Sequence, residues 1–129
     1  MFTVTPLYAL PLAAIFLILF FRVTTFRSNL KVSIGDGGDP ALLLRIRHHA
    51  NFVEWTGFVL ILMILAEGMA APAIYLHITG GLLLLGRMVH PFGLKIENPN
   101  HILRYVGNIT NILATLNVMV CLAVKLISN

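Results

Sequence analysis

Four apolar stretches, each long enough to cross a bilayer as a helix, dominate this sequence of 129 residues. A hydrocarbon core about 30 Å thick needs about 20 mostly apolar residues per spanning helix. Because lipid offers no hydrogen bonds, the backbone of such stretches has to be helical. We predict helices over residues 6–30, 40–66, 71–90 and 101–127, with a bend at Pro11. The expected fold is an all-α membrane protein: one four-helix transmembrane bundle that forms a single domain, residues 1–129.

The composition agrees with lipid as the solvent. Hydrophobic residues make up 58% of the chain and charged residues 11%, which would leave a soluble domain of this size with too much exposed apolar surface. The formal net charge is +4, but the basic residues stand at helix ends rather than along a solvated face. We therefore expect the lipid bilayer, and no nucleic acid, as a partner. Cys121 is the one cysteine, which excludes an intrachain disulfide.

Polar residues inside the predicted helices fall on distinct faces. Arg47, Asn51 and Glu54, at i, i+4 and i+7, share one face of the second helix. Two further groups lie near the same end, Arg87 with His90 on the third helix and a stripe on the fourth: Arg104, Asn108, Asn111 and Thr115. Such groups either mark a functional site or hold helices together, and spacing alone leaves both interpretations open. The excess of arginine over acid favours an anionic ligand.

The sequence contains no nucleophile motif of the common enzyme classes. There is no Gly-x-Ser-x-Gly, His-Glu-x-x-His, P-loop or dinucleotide-binding glycine pattern. The adjacent His48 and His49 diverge by about 100° on a helix, so we predict no metal site.

Three motifs together resemble one known family. These are the Arg-x-x-x-Asn-x-x-Glu pattern at Arg47, Asn51 and Glu54, the Gly-Arg-x-x-His sequence at residues 86–90, and Arg104 after it. The chain is similar over nearly its whole length to the membrane-associated proteins in eicosanoid and glutathione metabolism (MAPEG), which include microsomal glutathione transferases and leukotriene C4 synthase. It resembles the small bacterial members most. The best-known members have tyrosine where this chain has Trp55 and His90.

The resemblance implies a role for each matching residue. Arg47 would bind a carboxylate of glutathione, Asn51 its peptide and Glu54 its amino group, and the resemblance adds two further glutathione-binding residues, Arg87 and His90. Arg104 would lie near the glutathione sulfur as the first catalytic candidate, and the second is Arg27. Glutathione would be a cosubstrate, with no metal, and the resemblance also implies a homotrimer with sites between subunits.

The function expected from this reasoning is that of a glutathione transferase in a bacterial inner membrane. Its site would activate the glutathione thiolate toward a lipophilic electrophile or a lipid hydroperoxide. The alternative is a non-catalytic integral membrane protein whose polar stripes fix the oligomer. A transporter with a polar lumen is less well supported, since the sequence has no inverted repeat or discontinuous helix pair.

The distribution of basic residues predicts the orientation in the membrane. They flank the first and third interhelical joints, whereas the opposite end of the bundle has only Lys125. By the positive-inside rule both joints and the site face the cytoplasm and both termini lie outside. A reporter fused to either terminus should therefore be active only outside the cytoplasm, and a cytoplasmic signal would contradict this topology.

Overall fold

The computed structural model describes residues 2–128, which form four α-helices and no strand. The helices are α1 (Val4–Leu30), α2 (Pro40–Gly68), α3 (Ala73–Gly93) and α4 (Ile102–Ser128). All four are long and apolar enough to cross a membrane. The predicted all-α transmembrane bundle is confirmed. Residues 1 and 129, the ends of the predicted domain, lie outside the described part of the chain.

The helix boundaries follow local capping chemistry. Asp39 caps α2, because its carboxylate accepts hydrogen bonds from the backbone N–H groups of Ala41 and Leu42, at 2.8 and 2.9 Å. The third helix was expected to end near residue 90, yet α3 continues through Pro91 to Gly93. The backbone N–H of Leu94 donates to the carbonyl of His90 at 3.0 Å, so the helical ladder resumes after the one bond that proline removes.

Consecutive helices alternate in direction, which places residues 31–39 and 94–101 at one end of the bundle. We call this the two-joint end. The helix α1 packs on α2 and α3, α2 also packs on α3 and α4, and α3 packs most extensively on α4. The core between them is built from fully buried side chains of all four helices: Leu12, Val59, Met63, Leu76, Leu83, Ala114 and Val118.

Glycines allow α3 and α4 to approach closely. A Cβ atom added at Gly86 would lie 2.5 Å from Oγ1 of Thr110 and 2.6 Å from Oδ1 of Asn111, and one added at Gly93 would overlap the backbone of Arg104. Packing of small residues is a main source of helix association in lipid, where burial of apolar surface adds little. The contact therefore fixes the position of α3 against the first turns of α4.

Polar contacts tie the bundle together at the end opposite the two joints. The Glu67 carboxylate, near the end of α2, accepts from the backbone N–H groups of Val4 and Thr5 at 2.7 and 2.8 Å and so caps α1. Asn117 of α4 donates from Nδ2 to the carbonyl of Tyr75 and to Oγ1 of Thr79, both at 2.8 Å. Glu67 and Asn117 therefore hold neighbouring helices together at this end of the bundle.

The outer surface of the bundle is apolar. Large hydrophobic side chains on every helix are exposed, for example Leu10 at 77% and Val120 at 63%. A surface of this kind would drive aggregation in water, but acyl chains cover it without cost.

We expect Gly86→Ala to lower the free energy of unfolding by about 1–3 kcal/mol, because the added methyl group has no room between α3 and α4. The matched control is Gly81→Ala on the same helix, where a Cβ meets nothing within 4 Å. That control should be neutral or stabilising by about 0.5–1 kcal/mol, since alanine favours a helix over glycine. Unfolding in mixed detergent micelles measures both, and equal losses would contradict the close contact.

Candidate functional site

A polar cleft opens at the two-joint end of the bundle. It has a volume of about 310 Å³ and lies between the first turns of α2, the end of α3, the following loop and the start of α4. Its polar lining includes most residues of the predicted stripes and one lysine of the loop: Arg47, Asn51, His90, Lys95, Arg104 and Asn108. The lining contains no acidic side chain among residues 2–128, so the cleft favours an anionic guest.

Arg87 lies behind this cleft, in the interior of the bundle. Its side chain is 1% exposed, and Nη1 donates to the backbone carbonyl of Asn51 at 3.0 Å and to Oδ1 of the same residue at 2.8 Å. Among the described residues, its Nε and Nη2 have no hydrogen-bond partner. A guanidinium buried with no acid beside it adds positive potential to its surroundings.

The contact with Arg87 determines what Asn51 can offer to a ligand. A guanidinium has only donors, so it selects the oxygen of the Asn51 amide. That leaves Nδ2 as the side-chain group that Asn51, a residue of the cleft lining, can offer to a guest. A group bound there has to be an acceptor, such as a peptide carbonyl or a carboxylate oxygen.

Arg47 and Glu54 form an ion pair on the open side of α2. Nη2 of Arg47 is 3.9 Å from Oε1 of Glu54, and the two side chains are 53% and 55% exposed. An ion pair this long and exposed contributes little to stability, so both groups are free to exchange partners. Arg47 lines the cleft, whereas Glu54 lies outside its lining.

One histidine lines the cleft, and a second contacts a residue of its lining. The buried His90 contributes to the wall, and its position is set by Gly107, where an added Cβ would come within 2.7 Å of the His90 Cβ. Nε2 of His48 lies 2.9 Å from the carbonyl oxygen of Leu94 and links α2 to the loop after α3. The neighbouring His49 instead packs against Phe16 of α1, so the two adjacent rings diverge.

The two catalytic candidates occupy different places. Arg104, in the first turn of α4, lines the cleft and donates from Nη1 to the carbonyl of Pro99 at 2.9 Å. Arg27, in the last turn of α1, donates from Nη1 to the carbonyl of Gly35 at 2.6 Å and closes the joint before α2. Within one chain Arg27 is not part of the cleft lining.

The structure therefore brings four of the seven predicted site residues to one cleft and places Arg87 directly behind it. Glu54 and Arg27 lie outside the cleft of a single chain. The lining adds two residues that were not predicted as site residues, Lys95 and Asn108. The sequence carried a signal for each, since Lys95 belongs to the basic joint and Asn108 to the polar stripe of α4.

Taken together, these features define an integral membrane protein with a cationic cleft at one end of a four-helix bundle. The family model described as MAPEG family matches residues 5–124, and the chain belongs to this family. The resemblance seen in its motifs is thereby confirmed. The chain is also 37% identical over 90 residues to a protein described as inner membrane protein YecN, in Escherichia coli K12 and in Escherichia coli O6:H1. The alignment covers 70% of this chain and 69% of the relative. No solved structure matches the chain.

We expect Asn51→Ala to destabilise the protein by about 1–3 kcal/mol, because it removes an acceptor from the buried Arg87 guanidinium. In an Arg87→Met background the same change should cost much less, which gives a coupling energy of about 0.5–3 kcal/mol. Unfolding of the four variants in mixed micelles measures it.

The control cycle pairs Arg87→Met with Asn117→Ala, whose partners Tyr75 and Thr79 lie more than two turns away along α3. These two changes should be additive. If the Arg87 and Asn51 substitutions were also additive, the bond would contribute nothing to the position of the Asn51 amide.

Proposed function

We propose that the cleft binds glutathione and that the protein uses it as a cosubstrate. The observation that carries the proposal is the convergence of Arg47, Asn51, His90 and Arg104 on one cleft with no acid in its lining, backed by the buried Arg87. Glutathione offers the complementary groups, which are two carboxylates, two peptide carbonyls and a thiol that can ionise. The cleft volume of about 310 Å³ is at the lower end of small-molecule sites, roughly 300–1,000 Å³.

Three polar side chains of α2 have a partner in this arrangement. Arg47 pairs with a carboxylate, and the free Nδ2 of Asn51 donates to a peptide carbonyl. Glu54, next to Arg47 at the mouth of the cleft, pairs with the cationic amino group of the tripeptide after exchanging its present partner. His90 and Lys95 line the remaining wall.

Arg104 is our first candidate for the residue near the sulfur. The nucleophile is the thiolate, and a cation beside it lowers the thiol pKa. Each unit of lowering corresponds to about 1.4 kcal/mol of preference for the charged form. With the nucleophile on the cosubstrate, the protein needs no nucleophilic side chain of its own.

The second substrate is lipophilic and reaches the cleft from the bilayer. The cleft wall includes Leu43, Leu44, Leu94 and Ile96 beside its polar groups, which suits an apolar molecule next to the thiolate. In conjugation, the sulfur forms a bond to an electrophilic carbon while the leaving group departs with its electron pair. With a lipid hydroperoxide, the thiolate attacks the terminal oxygen, the O–O bond breaks, and the departing alkoxide takes up a proton from water to give an alcohol. The sulfenic acid formed on the first glutathione then reacts with a second glutathione to give the disulfide and water.

We further propose a homotrimer in a bacterial inner membrane, with the cleft facing the cytoplasm and both termini outside. The relative's description as an inner membrane protein supports the location. The positions of Glu54 and Arg27 outside the single-chain cleft support a site completed by a neighbouring chain. Arg27 of one subunit is then the second catalytic candidate.

The decisive measurement is the thermal stability of the detergent-solubilised protein with and without glutathione. A ligand at 100 times its dissociation constant should add about 2.7 kcal/mol to the free energy of unfolding. Arg104→Ala should keep this stabilisation but lose the ultraviolet absorbance of the bound thiolate. The control, Lys125→Ala at the opposite end, should keep both.

The rival hypothesis is the non-catalytic membrane protein. It predicts that Arg47→Ala and Glu54→Gln change the oligomeric state while glutathione has no effect on any variant. This hypothesis is supported by hydrogen bonds between helices of the bundle, which are made by Arg87, Glu67 and Asn117. Absence of glutathione stabilisation in the unmodified protein, together with no thiolate absorbance, would decide for this rival.

A further inference from the structure

A second cationic surface lies on α1 and α2, apart from the cleft. It is a groove of about 490 Å³ near the two-joint end, and it shares no lining residue with the cleft. Its polar lining is formed by Arg22, Thr25 and Asn29 of α1 and Arg45 of α2. We call it the α1–α2 groove.

The charges of this groove are not neutralised by the protein. The one ion pair within 4.0 Å among residues 2–128 joins Arg47 and Glu54, so Arg22 and Arg45 have no carboxylate partner in that range. The guanidinium of Arg45 is held 4.3 Å from the ring centroid of Phe26, which fixes its position at the edge of the groove. The groove thus presents two positive charges, of which that of Arg45 has a defined place.

The polar part of the groove lies at the boundary of the hydrocarbon layer. The apolar body of α1, residues 5–21, is about 26 Å long at 1.5 Å per residue, close to the thickness of a bilayer core of about 30 Å. Arg22 follows this body directly. Because Ile18, Arg22, Thr25 and Asn29 lie at i, i+4, i+7 and i+11, one face of α1 changes there from apolar to polar.

Such a boundary surface meets the headgroups of the bilayer. In a bilayer, the apolar part of the groove, which includes Ile18 and Phe21, would face acyl chains, and the guanidinium groups would extend toward the phosphate level. Thr25 and Asn29 are exposed, so both side chains are available to a headgroup.

We propose that the α1–α2 groove binds an anionic glycerophospholipid of the leaflet at the two-joint end. Arg22 and Arg45 bind its phosphate, Thr25 and Asn29 bond to the headgroup hydroxyls, and one acyl chain lies along Ile18 and Phe21. The lipid links α1 to α2 at the end where residues 31–39 connect them. This site is independent of glutathione binding, because the two surfaces have no residue in common.

The test uses the full-length protein, stripped of lipid in detergent and returned to micelles that contain phosphatidylglycerol or phosphatidylcholine. We expect phosphatidylglycerol to raise the unfolding temperature and to bind at least 10-fold more tightly than phosphatidylcholine, as counted by native mass spectrometry. The double variant Arg22→Gln with Arg45→Gln should lose this preference. Inorganic phosphate alone should not reproduce the stabilisation.

The matched control is Lys31→Gln with Lys125→Gln, which removes the same charge outside the groove and should keep the preference. If the glutamine variant fails to fold, Arg22→Lys with Arg45→Lys keeps the charge but loses the paired donors of guanidinium, and it should bind at least 3-fold more weakly. The proposal would be overturned if the protein bound both lipids equally well or if the control variant lost the preference for phosphatidylglycerol to the same extent. It would also be overturned if the lysine variant bound phosphatidylglycerol as tightly as the unmodified protein, or if inorganic phosphate alone gave the full stabilisation. Glutathione stabilisation, measured on the same variants, should not change.

Discussion

A polar group inside a bilayer has no water to bind, and the rest of this structure depends on that constraint. The buried Arg87 meets this constraint in part, because its Nη1 group donates to both the backbone carbonyl and the side-chain oxygen of Asn51. This contact links α3 to α2. Elsewhere in the bundle the Glu67 carboxylate and the Asn117 amide are satisfied within the chain. Arg87 differs because, within residues 2–128, two of its nitrogens have no hydrogen-bond partner and no carboxylate forms an ion pair with it. Stability alone does not require such a group, since an apolar residue would fill the space at lower cost.

The close contact of α3 and α4 turns these separate polar residues into a site. Gly86, Gly93 and Gly107 let the two backbones approach until His90 packs on α4 and Arg104 stands beside the end of α3. The extension of α3 past Pro91 is part of the same contact, because Gly93 is the position that rests on the Arg104 backbone. The shape of the cleft is therefore set by small residues that carry no chemistry of their own.

The cleft of one chain holds only part of the predicted glutathione site. The residues proposed to bind a carboxylate, a peptide carbonyl and the thiolate lie together, whereas Glu54 lies outside the lining and Arg27 closes its own joint. This division suits a site that lies at a boundary between chains, where an exposed ion pair can change partners at small cost.

Much of the fold was predictable from the sequence because lipid imposes a simple rule: long apolar stretches become helices. The Asp39-Pro40 pair marked where α2 begins. The faces of the polar stripes followed from the 3.6-residue period, so Arg47, Asn51 and Arg104 were found without coordinates. The sequence did not determine which stripes meet, because that depends on how closely helices approach. Only the tertiary structure buried Arg87 against Asn51, brought Lys95 and Asn108 into the cleft and left Glu54 and Arg27 outside it. The physical reason is that periodicity fixes the direction of a side chain around its own helix, whereas its partners are chosen by packing between helices.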